Sequence, residues 1–178
     1  MNRKGRHIMA DEFTTLITRS GLELRVRPAR LGDEAALTKF FADVTAEDRR
    51  FRFLSMVHVG REHVSAMTDV DHTQTESFVA FAAGSDRIVG AAMLACDASL
   101  ETGEVAISVH GDHKNRGIGW ALLSHVEAHA RAKGVKRLMS IENRANKSAI
   151  QIERELGFDA SSYDGDMTLV VLQKGLAA

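Results

Sequence analysis

Cysteine, proline and tyrosine are almost absent from this sequence, since each occurs once in 178 residues. The single thiol, Cys96, cannot form an internal disulfide or a multi-thiolate metal site, so a disulfide-stabilised scaffold is excluded. No apolar run is long enough to span a bilayer. The net charge is also close to zero, because the sequence has 23 Lys+Arg and 24 Asp+Glu, which gives a formal charge of −1. This balance gives no electrostatic reason to expect a nucleic-acid partner.

The composition that remains is that of an ordinary globular protein, with 44% hydrophobic and 26% charged residues. The basic opening is followed by an apolar stretch too short for a secretory signal, which predicts a cytoplasmic protein. Residues 1–21 show no clear period and are predicted to form a tail or a poorly ordered lead-in. Residues 22–178 contain no repeat or linker, and we predict that they form a single domain.

Hydrophobic periodicity predicts both strands and helices along this domain. Strands are expected at 22–27, 77–81, 88–96, 103–110, 135–141 and 167–172, and helices after Asp33, after Thr45, at 61–67, from the loop at 111–119 to Lys133-Gly134, and at 148–156. In the longest helix, Ile118, Leu122, Val126 and Ala130 form one apolar stripe. The chain begins with short helices, has hairpins in its middle and contains one strand–loop–helix–strand unit. This order of elements predicts a mixed α+β layer fold.

The loop before the longest helix is the most informative segment, and it reads Lys114-Asn115-Arg116-Gly117-Ile118-Gly119-Trp120. A helix N-terminus with free N–H groups favours an anion. Gly117 and Gly119 let a phosphate approach the backbone, and Lys114 and Arg116 can add charged donors. The loop lacks the third glycine of a dinucleotide fingerprint and the Gly-Lys-Ser/Thr ending of a P-loop. Two glycines can also form a mere tight turn, but the basic residues and flanking elements favour an anion site.

Two segments carry a resemblance to a known family. Residues 114–119 resemble the acyl-CoA pyrophosphate loop of the GNAT superfamily of N-acyltransferases, whose motif reads Arg/Gln-x-x-Gly-x-Gly/Ala. Asn146, followed by a helix that closes in Leu156-Gly157-Phe158, resembles the second landmark of that family. The resemblance extends from about Leu22 to Lys174. It implies a mostly antiparallel central sheet with helices on both faces, in which two neighbouring strands splay apart to form an acyl-CoA cleft.

The resemblance also implies how acetyl-CoA would bind. The pyrophosphate would lie on the N–H groups from Arg116 to Trp120, and the pantetheine arm would lie beside Ile107 to Val109. Asn146 would face the reacting thioester. The cofactor-binding residues implied in this way are Ile107, Val109, Lys114, Asn115, Arg116, Gly117, Ile118, Gly119, Trp120 and Asn146.

Glu104 is the candidate general base. Strand alternation places it on one face with Ala106 and Ser108, a face of small and polar residues that suits a cleft. A carboxylate there can take a proton from an amine, although Glu104 could equally be an ordinary charge at a strand start. Residues 45–53, 68–71 and 103–106 resemble the Pat-type bacterial protein-lysine acetyltransferases. In that group the glutamate that matches Glu104 is taken as the catalytic base, which favours the functional interpretation.

No residue stands out as the acid that would protonate the leaving thiolate. Many family members place a tyrosine four residues before the closing glycine, but Glu153 stands there, and the one tyrosine, Tyr163, lies beyond the motif. Water or Glu153 could take this role, and the sequence supports neither. We expect Glu153 to be a surface residue of its helix. We expect Arg49, Arg50 and Arg52 to form a mostly solvated face, although the stretch Arg50–Phe53 could also border an acceptor channel.

These observations predict an acetyl-CoA-dependent N-acetyltransferase without a metal, in which an acceptor amine attacks the thioester directly. Glu104 would deprotonate the amine, and the N–H of Val109 would act as an oxyanion donor. The acceptor is a protein lysine or a small amine of the polyamine or aminoglycoside kind. A non-catalytic acyl-CoA-binding regulatory module is the alternative. We predict no nucleic-acid or membrane partner, and whether the chain forms a homodimer stays open.

Overall fold

The computed structural model describes residues 13–54 and 59–176, and within these ranges eight strands form one sheet. The strands are β1 (Thr14–Ile17), β2 (Glu23–Pro28), β3 (Thr75–Ala82), β4 (Ile88–Cys96), β5 (Thr102–Val109), β6 (Arg137–Asn143), β7 (Asp159–Ser162) and β8 (Leu169–Gly175). Their order is β1-β2-β3-β4-β5-β6-β8-β7, and only the β5–β6 pair is parallel. The predicted α+β class with a mixed, mostly antiparallel sheet is confirmed.

Two edge strands were not predicted. Thr14–Ile17 pairs with β2, so part of the stretch expected to be a tail is a strand of the sheet. Asp159–Ser162 pairs with β8 at the other edge. Each is four residues long and mostly exposed, which leaves too little alternation to detect in the sequence. Residues 1–12 of the expected tail lie outside the described residues.

Five helices cover both faces of the sheet within the described ranges, as the resemblance implied: α1 (Glu34–Asp43), α2 (Ala46–Phe53), α3 (Arg61–Thr68), α4 (Ile118–Lys133) and α5 (Lys147–Glu155). The first three pack with β3 and β4 residues such as Val79 and Ala91 in one apolar cluster. α4 and α5 pack on the opposite face, against Leu94 and Val105 among others, in a second cluster. The sheet therefore separates an α1–α3 layer from an α4–α5 layer.

The two short helices at the start of the domain begin in different ways. Asp33 precedes α1 but makes no side-chain cap, because its carboxylate accepts two hydrogen bonds of 2.7 Å from the buried Arg27 guanidinium. Thr45 does cap α2, since its Oγ1 accepts from the Asp48 N–H at 3.1 Å. Arg49 was predicted to be solvated, but its guanidinium donates to carbonyls at the end of α1 and joins the two helices.

α4 carries the core of the second layer. The predicted stripe of Ile118, Leu122, Val126 and Ala130 is at most 1% exposed. The helix ends at Gly134, whose φ of +88° belongs to the left-handed region that favours glycine. Among the described residues, no helix has the length and apolar character needed to cross a membrane. The helix starts directly after the loop from β5, which places its N-terminus at the end of that strand.

Candidate functional site

A cleft opens where β5 and β6 separate. The two strands pair only from Thr102 to Glu104 on β5, opposite Arg137 to Met139 on β6. Beyond Glu104, β5 stays paired with β4 up to Val109, but it has no described partner on the β6 side. A cavity of about 170 Å³ lies in this gap, bordered by both strands and by residues of α2, α4 and α5.

The open edge of β5 presents backbone donors to the cleft. The N–H of His110 donates to the Val89 carbonyl of β4 at 2.9 Å. Successive N–H groups of a strand point to opposite edges, so the N–H groups of Ile107 and Val109 point toward the gap. These are two of the predicted cofactor-binding residues.

The loop predicted to bind an anion packs against the β1–β2 turn. Gly117 has a φ of +78° and precedes α4, and no side chain caps the first N–H groups of the helix. A Cβ at this position would lie 3.2 Å from the Arg19 nitrogen and 3.3 Å from Cβ of Thr18 in the β1–β2 turn. The Ser20 hydroxyl of the same turn donates to the Arg116 carbonyl at 2.8 Å. The β1–β2 turn therefore supports the loop from outside and leaves its N–H groups available to an anion.

The predicted site residues fall into two neighbouring groups. Those that border the cavity are Glu104, Ile107, Val109, Lys114, Gly119 and Asn146. The others form the loop and the first turn of α4: Asn115, Arg116, Gly117, Ile118 and Trp120. Lys114 is already paired, because its Nζ lies 2.6 and 2.9 Å from the Asp48 carboxylate on α2. The Arg19 guanidinium lies 4.4 Å from the centre of the Trp120 ring.

Three charged groups from different elements also meet in the cleft. Arg52 on α2 borders the cavity rather than lying on a solvated face. Burial lowers the pKa of its guanidinium, and the carboxylates of Glu104 and Glu142 act in the opposite direction. Burial raises the pKa of Glu142 to about 7, although Asn146 and Arg52 oppose this effect. Asn146 Nδ2 donates to Glu142 at 2.8 Å, and its Oδ1 accepts from the Ala149 N–H at 3.4 Å, so this amide also caps α5.

The expectation that Glu153 lies on the surface is wrong, because it is only 5% exposed and borders the cavity. Burial, and then the charge of Glu142, raise the pKa of Glu153 to about 8, while the Ser140 hydroxyl lowers it in part. A signal was available in the sequence: Ala149, Glu153 and Leu156 are spaced to share one helix face. That face packs inward, so the Glu153 side chain is buried as well.

Comparison with known proteins agrees with this fold and identifies its class as an acetyltransferase. The model of the acetyltransferase (GNAT) family matches residues 41–158, more than half of the chain, so the chain belongs to that family. The GNAT domain of PAT from S. lividans is similar, with 24% identity and a TM-score of 0.84, over 92% of this chain and 97% of that one. The resemblance to Pat-type GNAT domains is thus confirmed for the fold.

Two further solved structures share the fold. The protein yncA from Salmonella typhimurium, solved with its cofactor acetyl-CoA, has 20% identity and a TM-score of 0.69, over 86% of this chain and 94% of its own. Spermidine N-acetyltransferase from Vibrio cholerae, in complex with CoA and spermine, has 13% identity and a TM-score of 0.70, over 85% and 95% of the two chains.

Proposed function

We propose that this protein is an acetyl-CoA-dependent N-acetyltransferase that acetylates a primary amine, with a protein lysine as the first candidate acceptor. The observation that carries the proposal is the open edge of β5, where the N–H groups of Ile107 and Val109 face the same cleft as Glu104. Family membership supports it, as do relatives of the same fold solved with acetyl-CoA or with CoA and spermine.

The chain has groups that could bind acetyl-CoA along its whole length. The first N–H groups of α4, which follow Gly117, would hold the diphosphate. Ile107 and Val109 would hold the pantetheine arm as an added strand. Lys114 would share its charge between the diphosphate and Asp48, which already holds its ammonium group. Acetyl-CoA supplies the acetyl group in activated form, as a thioester.

Glu104 and Val109 would then act on the reacting groups. A lysine-like amine, with a pKa of about 10.4, is almost wholly protonated at neutral pH and must lose a proton before it can attack. Glu104 would accept this proton, directly or through water. The Val109 N–H would donate a hydrogen bond to the thioester oxygen, where negative charge develops during attack.

The charges of the cleft favour an acceptor with a single amine over a polyamine. Arg52 and Lys114 bring two positive charges to the lining, which offset the carboxylates of Asp48 and Glu104. The other two carboxyls of the lining, at positions 142 and 153, have raised pKa values of about 7 and about 8, so they are only partly ionised at neutral pH. A polyamine with several ammonium groups needs more negative charge than this, whereas one lysine side chain does not.

The first test is acceptor-dependent release of free thiol from acetyl-CoA. The panel contains lysine peptides, polyamines and aminoglycosides, and acetylated lysines are identified by mass spectrometry in a cell extract. We expect thiol release with lysine peptides and little with polyamines. Binding of CoA without release over the whole panel would favour the non-catalytic module and refute the enzyme.

The second test is Glu104→Gln. We expect turnover to fall by at least about tenfold, a conservative figure for the loss of a general base, with little change in CoA affinity. Glu101→Gln is the matched control, because Glu101 is exposed just before the same strand and pairs with Lys136 outside the cleft. If both variants keep wild-type turnover, Glu104 is not the base.

A further inference from the structure

Glu153 is a buried carboxyl for which the mechanism above has no use. It is 5% exposed, and its Oε2 has no hydrogen-bond partner among the described residues. Buried polar groups are normally hydrogen-bonded, and an unpaired one costs free energy. An unpaired carboxyl oxygen at the wall of a substrate cleft is available to a group that enters the cleft.

The groups around Glu153 favour its protonated form. On β6, the nearest groups are Ser140 and Glu142, and the Glu142 charge disfavours a second carboxylate. Arg52 on α2 interacts with Glu104 on β5 and with Glu142. Burial is the largest effect, and with a pKa of about 8 the Glu153 carboxyl holds its proton near neutral pH.

Glu153 and Glu104 approach the open edge of β5 from opposite sides of the sheet. Glu104 lies opposite Ala95 in the β4–β5 register, on the face covered by the α1–α3 layer, whereas Val109 lies on the other face with α4 and α5. Ile152, next to Glu153 on α5, reaches the same spot as Val109: a Cβ on Gly119 would lie 3.4 Å from Ile152 Cδ1 and 4.0 Å from Val109 Cγ2. α5 therefore packs close to Val109, and Glu104, Val109 and Glu153 border the same cavity.

Resting on the proposed function, we propose that Glu153 is the general acid that protonates the departing coenzyme A thiolate. The acceptor nitrogen forms a bond to the acetyl carbon, and the carbon–sulfur bond breaks with its electron pair on sulfur. The sulfur takes the proton of the Glu153 carboxyl and leaves as a thiol, while the proton of the nitrogen goes to Glu104. Glu104 passes to water both protons that it takes from the nitrogen, one before the attack and one after it, and Glu153 takes up one proton from water, which restores both groups and releases one proton in all.

Glu153→Gln is a direct test, because glutamine has the shape of the protonated acid but has no acidic proton to give. We expect kcat to fall by about 10- to 100-fold while the KM for the acceptor and the Kd for CoA change less than about twofold. Wild-type kcat should decline above about pH 8 as the acid is lost, and the Gln variant should lack this decline. Glu153→Asp should retain part of the activity. Arg154→Gln, at the next and exposed position of α5, is the control and should behave as wild type.

A readout without substrate complements the kinetics. Carboxyl ¹³C NMR of the glutamate-labelled protein should show a resonance that titrates near pH 8 and disappears in Glu153→Gln. If wild type turns over and the Gln variant keeps its kcat and pH profile, the proposal is overturned and the proposed function stands. If wild type binds CoA but never releases thiol, the proposed function fails first. If the Gln variant does not fold, a wild-type kcat that stays constant from about pH 7 to about pH 9.5 overturns the proposal.

Discussion

Glu153→Gln should also change how the stability of the folded protein responds to pH. A carboxyl whose folded pKa is raised stabilises the protein fully below its unfolded pKa, and this contribution is lost as pH rises through the folded value. For Glu153 the window runs from the ordinary 4.5 to about 8. The glutamine side chain stays neutral over the whole range, so the variant does not incur this loss.

The size of the effect follows from the two pKa values. The free energy of unfolding changes by about 1.36 kcal/mol per pH unit, so the interval between the two pKa values sets an upper value of about 5 kcal/mol for the whole change. We expect about 2 to 5 kcal/mol, because the protein relaxes around the ionised carboxyl. The free energy of unfolding of the variant, relative to wild type, should therefore rise by about 2 to 4 kcal/mol between about pH 5 and about pH 9, since part of the change falls below pH 5.

Urea unfolding at a series of pH values and constant salt measures this difference. Glu142→Gln provides a graded comparison, since its pKa of about 7 predicts a smaller rise that is complete at lower pH. This prediction is refuted if the free energies of unfolding of wild type and Glu153→Gln, plotted against pH, run parallel within about 0.5 kcal/mol from pH 5 to pH 9. Glu153 would then ionise in the folded protein as it does in the unfolded chain.

Two further substitutions test the loop and the core. Gly117→Ala should weaken CoA binding by at least about fivefold, because a Cβ would crowd Arg19 and the left-handed backbone disfavours alanine. Gly134 has the same backbone conformation, but a Cβ there would contact nothing, so Gly134→Ala should leave CoA affinity unchanged. Calorimetry measures the CoA affinity of both variants, and equal losses of affinity would contradict the prediction. Asp33→Asn should lower the free energy of unfolding by about 3 to 5 kcal/mol, because it leaves the buried Arg27 guanidinium without its carboxylate. A loss below about 1 kcal/mol in urea unfolding would show that the pair contributes little.

The parts of the fold that the sequence predicted are those with a local cause. α4 was predicted from its apolar stripe and from the glycine at position 134, and both signals lie within the helix itself. The edge strands were not predicted, since β1 and β7 are held by their neighbours in the sheet and carry little pattern of their own. The cleft shows the same division. Its loop and Glu104 belong to contiguous motifs, whereas Arg52, Glu142 and Glu153 meet because α2, β6 and α5 converge. Their burial and altered pKa values are consequences of that convergence.

The short ladder between β5 and β6 divides the sheet into two halves, β1–β5 and β6–β8. Among the described residues, the strand ladder across this seam has three paired positions, from Thr102 to Glu104, and the Lys136 N–H donates to the Leu100 carbonyl just before it. A ligand arm that adds hydrogen bonds along the rest of the seam would join the halves, so coenzyme binding and resistance to unfolding would be linked quantities. The seam would then be the place where the free protein opens most readily, and the coenzyme concentration in the cell would set how often it does so.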